Sequence, residues 1–90
     1  MKTDAEILTR LRDFTTPKRI ELVGLCWISL SLVAQGGIDT EERNRILLII
    51  KKHAPPREYR SSCHWPPGEA KPRIDWINSL LQRIKEGENL

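Results

Sequence analysis

Four side chains in this sequence have the chemistry of nucleophiles or soft metal ligands: Cys26, His53, Cys63 and His64. A thiolate nucleophile needs a base within hydrogen-bond reach and donors for the oxyanion it creates. Cys63 and His64 are adjacent, and neighbouring residues rarely present their side chains to each other. No glycine-rich loop accompanies them to supply oxyanion donors. Structural zinc sites use paired short spacings such as C-x-x-C, and none occurs here. The nine residues between His53 and Cys63 do not organise a site in advance. The expectation is therefore no metal, with Cys26 a buried thiol inside an apolar run.

The other chemical candidates are the clustered acids Asp39, Glu41 and Glu42. They open a helix, where acids are expected because they complement its positive end. No phosphate-cradling glycine loop is present, so nucleotide chemistry has no handle. Ninety residues bury one core, and hardly a core plus a deep substrate pocket. These observations point to a protein that is not an enzyme, with no catalytic residues and no cofactor.

The elements that carry these residues follow from hydrophobic spacing and punctuation. Thr3 and Glu6 form a capping-box pattern, and Ile7, Leu8, Leu11 and Phe14 make one apolar stripe of a first helix. Thr16 and Pro17 have the types expected at the cap and first position of a second helix, running to about Gln35. That helix is apolar nearly all round, from Ile20 to Val33, so it is either covered by neighbours on every side or covered on one face by another molecule. Gly36 and Gly37 end it with a left-handed cap. Asp39 or Thr40 caps a third helix, which ends in Lys51, Lys52 and His53 before Ala54, Pro55 and Pro56. A fourth helix opens at Pro72, with Ile74, Ile77, Leu81 and Ile84 on one stripe, and ends at Gly87. The predicted fold class is all-α: one domain over residues 1–90, a small four-helix bundle with a long proline-rich connector between helices three and four.

That connector, residues 55–71, holds four prolines together with Tyr59 and Trp65. Loops this long without secondary structure are usually functional or disordered. Tyr59 and Trp65 alternate with Arg57, Arg60, His64 and Lys71, and Trp, Tyr and Arg dominate binding energy when they fill a partner's pocket. Pro66 and Pro67 pre-set φ and so reduce the ordering cost of binding. The segment reads as a semi-rigid partner-binding arm, with Arg57, Tyr59, Arg60, His64, Trp65, Pro66, Pro67 and Lys71 as its contacts. The bland alternative folds Trp65 back as a lid on the bundle. Trp65-Pro66 and Pro66-Pro67 also offer slow cis/trans exchange, on which a prolyl isomerase could act.

The charge distribution favours an acidic partner. The chain carries a net +3, and residues 51–73 hold six basic and two acidic side chains, a local +4. A second reading is a small DNA-binding regulator. Helix two, the glycine pair and helix three have a helix–turn–helix outline, with Arg43 and Arg45 near the start of the second helix and Lys51 and Lys52 near its end. Weak contact of the basic segment with a nucleic-acid strand belongs to the same reading. Against it stand the bulk of apolar residues on both helices and the acids Glu41 and Glu42 at the point of insertion. The run from Ile20 to Ala34 is too short to cross a bilayer, and the opening residues lead straight into an amphipathic helix, so no membrane is expected and the cytoplasm is the expected location. Monomer and homodimer both remain open, since a twin could cover the apolar excess of helix two.

The stretches "TPKRIELVGLCWISLSLVAQGGIDTEERN" and "HAPPREYRSSCHWPPGEAKPRIDWINSLL" resemble small accessory proteins of lambda-like phages, in particular the anti-RecBCD family of phage recombination regions. The resemblance implies a non-catalytic protein acting in the host bacterial cytoplasm. It would bind the host RecBCD helicase–nuclease through the RecC subunit and turn DNA end processing in favour of phage recombination. It supplies no site residues, so the interface named above comes from the residues alone.

Overall fold

The structure is a computed structural model and describes residues 2–15, 24–55 and 70–90. Four α-helices and no strand occur among the described residues: α1 (Asp4–Phe14), α2 (Leu25–Ala34), α3 (Thr40–His53) and α4 (Ala70–Lys85). Helix α1 is the hub, packing against each of the other three, while α2 also packs on α3. The core takes Ile7, Leu8 and Leu11 from α1, Leu25, Ile28 and Leu32 from α2, and Ile46, Ile49 and Ile50 from α3. Ile77 and Leu80 of α4 complete it, with Ile38 and Leu90 closing its edges.

The helix starts follow local hydrogen-bond needs. Thr3 accepts from the Glu6 amide at 3.2 Å while the Glu6 carboxylate accepts from the Thr3 amide at 3.3 Å. Asp39 and Glu42 repeat the arrangement at α3, with both bonds at 2.8 Å. Each box satisfies two amides that the first turn cannot pair internally. Beyond α2, Gly36 takes φ +76°, and a Cβ at Gly37 would lie 2.5 Å from Leu32 Cδ1. Gly36 thus answers a need of conformation, and a side chain at Gly37 would force Leu32 to shift.

Three boundaries depart from the sequence expectation. The second helix does not run unbroken to Gln35, because Gly24 is extended (φ −80°, ψ 176°) and acts as the N-cap of α2. Glycine is about 1 kcal/mol worse than alanine in a helix interior, which makes it the natural break in that run. Residues 16–23 lie outside the described residues. Helix α4 begins at Ala70 rather than Pro72. Pro72 fits inside the first turn because the amide it lacks would have had no helical partner there. At the ends of the expected arm 55–71, Lys71 is helical and Pro55 is buried beside Ala54, which holds the left-handed conformation at φ 46°; residues 56–69 lie outside the described residues.

Candidate functional site

Helix α2 contains ten residues, Leu25 to Ala34, and none is charged. Leu25, Ile28, Ser29 and Leu32 are buried toward α1 and α3. The opposite side presents Trp27, 53% exposed, and Leu30, 42% exposed, with Ser31 and Ala34 also exposed. Positions 27, 30, 31 and 34 follow helical spacing, so these four form one continuous face. A surface helix in a globular protein ordinarily turns charge toward water; this one turns an indole and a leucine. Sequence reasoning missed Trp27 as a contact residue. The signal was available in the absence of any polar stripe, but nothing in the pattern says which side of an all-apolar helix is left uncovered.

The face is held rigidly from behind. Arg43 of α3 donates from Nε to Ser29 Oγ at 3.2 Å and from Nη2 to the Cys26 carbonyl at 3.3 Å. Ser29 donates its own hydroxyl to that carbonyl at 2.6 Å. Cys26 is half-buried and packs against the core. Arg45 lies about 200° further round α3 and turns the other way. It grips Asp4 with two bonds of 2.9 and 2.8 Å and the Leu90 main-chain oxygen at 3.3 Å. The hydrogen bond from Arg45, reinforced by its charge, holds the Asp4 carboxyl below the usual carboxylate range, and Asp4 raises Arg45 in return. Both arginines therefore spend their donors inside the fold. Lys51 and Lys52 are exposed.

Of the arm residues, Lys71 lies on the first turn of α4 and pairs with Asp75 at 2.6 Å. Arg57, Tyr59, Arg60, His64, Trp65, Pro66 and Pro67 lie outside the described residues, and with them the isomerising Trp65-Pro66-Pro67 bonds. Arg73, counted above in the local basic excess, is 0% exposed and so adds nothing to a solvent-facing patch.

Of the chemical candidates, Cys63 and His64 lie outside the described residues, while Glu42 and His53 are placed. Glu42 is 1% exposed and accepts from the Asp39 amide and, at 2.6 Å, from the Lys2 amide, with Lys2 Nζ at 3.5 Å. The Asp39 amide first, then the Lys2 amide, hold this carboxyl below its ordinary range against the opposing effect of burial. His53 ends α3 with its Nδ1 3.5 Å from Arg83 Nη1 and its Nε2 buried without a hydrogen-bond partner among the described residues. Burial first, then Arg83, Lys52 and Arg45, push the imidazole below the ordinary histidine value. Among the described residues no three His, Cys, Asp or Glu side chains gather as metal ligands. No helix among them is long and apolar enough to cross a membrane.

Comparison of the chain with protein-family models, curated proteins and solved structures returns no match.

Proposed function

We propose that this chain is a non-catalytic docking protein that binds a larger protein complex through the uncharged outer face of α2. The observation that carries the reading is the continuous exposure of Trp27, Leu30, Ser31 and Ala34 on a helix without a charged residue. Tryptophan is enriched among residues that dominate interface energies, and Ser31 and Ala34 are small enough to let a partner's backbone approach. Arg43 fixes the helix in place, so little ordering cost remains to be met on binding. The arm residues Tyr59 and Trp65 extend the same reading on sequence grounds.

The partner implied by the sequence resemblance, host RecBCD through RecC, is the first complex to test, with modulation of DNA end processing as the consequence of docking. Purified RecBCD is immobilised, and the wild-type chain is compared with Trp27→Ala and with Tyr59→Ala/Trp65→Ala by biolayer interferometry. Saturable binding weakened at least about 30-fold by Trp27→Ala, a loss of roughly 2 kcal/mol, supports docking through α2. Binding lost only with the Tyr59/Trp65 pair moves the interface to the arm. Absence of binding removes RecBCD as the partner.

A further inference from the structure

A second surface lies on the side of α3 that Arg45 faces, away from Arg43 and α2. Arg45, Leu48, Ile49, Lys51, Lys52 and Leu90 line a cleft of about 470 Å³. Its floor is aliphatic: Ile49 is buried, Leu90 is nearly so, and Leu48 stands 57% exposed at the lip. Its rim is basic. Asp4 and the Leu90 main-chain oxygen already engage Arg45, so its charge is largely spent. Lys51 and Lys52 are exposed, and no side-chain hydrogen bond or ion pair joins either to a described residue. The negative end of α3 nearby amounts to about half a unit charge, which two lysines outweigh.

We propose that this cleft binds an acidic peptide segment of a partner protein, seating an aliphatic or aromatic side chain against Leu48, Ile49 and Leu90 while its carboxylates meet Lys51 and Lys52. The charge of the rim selects the sign of the ligand, and the apolar floor selects a peptide over the alternatives. A nucleic-acid strand would want aromatic platforms for its bases, and this cleft has none. A lipid surface would want a broad apolar face, and here a single leucine protrudes beside a concavity. The proposal does not depend on the α2 face.

The test is selection of peptides from a random 16-residue display library on the wild-type chain, followed by fluorescence anisotropy with the enriched peptides. They should combine Asp and Glu with Leu, Ile or Phe at helical spacing. Their affinity should fall at least tenfold on Lys51→Glu/Lys52→Glu, and severalfold on Leu48→Ser, while Trp27→Ala stays within twofold of wild type. All these positions are exposed, and circular dichroism is used to check that each variant folds. Charge-swapped peptides carrying Lys for Glu should recover binding to Lys51→Glu/Lys52→Glu. Four results would overturn the proposal: no enrichment; peptides without acidic bias; binding unchanged by the lysine reversal or lost with Trp27→Ala; or oligodeoxythymidine or anionic phosphatidylglycerol vesicles binding these lysines in preference to the peptides.

Discussion

The indole Nε1 of Trp76 donates a hydrogen bond of 3.2 Å to the main-chain carbonyl of His53. This bond ties the middle of α4 to the last residue of α3, and the ring packs against the core beside it. Trp76→Phe keeps most of the ring contact and removes the donor, leaving a carbonyl of the final helical turn short of a partner. The expected loss is about 1 kcal/mol in urea unfolding, seen as a lower midpoint with an unchanged slope. Trp76→Ala should cost more, about 2–4 kcal/mol, because it also opens a cavity.

Ala54, the next residue, pays for the sharp exit from α3 with φ 46°, while its amide closes the helix on Ile50 at 3.0 Å. The left-handed region costs a residue with a Cβ roughly 1–2 kcal/mol, and Pro55 behind it disfavours the ordinary helical alternative. Ala54→Gly removes the steric cost and adds about 0.4–1 kcal/mol of unfolded-state entropy. A net stabilisation of roughly 0.5 kcal/mol is expected, read as a higher melting temperature.

His53 predicts a pH dependence whose sign follows from burial. Its folded value is depressed below the ordinary histidine value of about 6.5, so the unfolded chain takes up the proton more readily. Stability is full above that unfolded value and is lost as pH falls below it toward the depressed folded one. The groups opposing the new charge are Arg83, Lys52 and Arg45. Asp4 and Glu42 are also depressed, but their contributions fade at lower pH, as the carboxylates themselves protonate. Urea midpoints measured from pH 7.5 to 5 should decline for wild type and stay flatter for His53→Gln. Parallel curves would show that the imidazole does not titrate differently on folding.

Much of this architecture can be read from spacing alone, because short-range rules govern it. Thr3 with Glu6 forms the box its spacing suggests, Asp39 rather than Thr40 caps α3 and forms a second box with Glu42, and Gly36 and Gly87 both take positive φ at helix ends. Of the stripe Ile7, Leu8, Leu11 and Phe14, the first three are buried and Phe14 is partly buried against them. What spacing does not reveal is which neighbour each stripe meets. The all-apolar second helix leaves two readings open, cover by neighbours on every side or one face left for another molecule; α1 occupies the centre and α2 keeps one face exposed, as the second reading requires. Gly24 could equally have continued the helix, since a glycine costs little enough for packing to override. The inward turn of Arg43 and Arg45 was hidden for another reason: an arginine on a helix pattern looks solvent-facing until a specific acceptor, Ser29 or Asp4, is placed within reach of its fork.

Those two arginines separate the docking and DNA-binding readings. If their main work is inside the fold, Arg43→Ala and Arg45→Ala lower stability. Arg45 is expected to lose about 1 kcal/mol, because its pair with Asp4 is bidentate but about one-third exposed. A double-mutant cycle with Asp4→Asn measures the coupling directly. A DNA reader would instead keep its stability in both variants and lose salt-sensitive affinity for duplex.

The exposed face of α2 also bears on self-association. A ten-residue helix is about 15 Å long, and one face of it buries far less than the roughly 800 Å² per partner of a stable interface. Pairing of two copies through Trp27 and Leu30 alone is therefore too small to hold a dimer at low concentration. Docking onto a larger partner meets the same limit unless this chain adds contacts beyond α2, which is the part proposed for the arm residues Tyr59 and Trp65. Sedimentation equilibrium at low micromolar concentration should give a monomer, and Trp27→Glu should leave both the mass and the urea midpoint nearly unchanged, since Trp27 is already 53% exposed. A tight dimer dissolved by Trp27→Glu would assign the face to a second copy of the chain, and the docking function would have to be carried by a different surface.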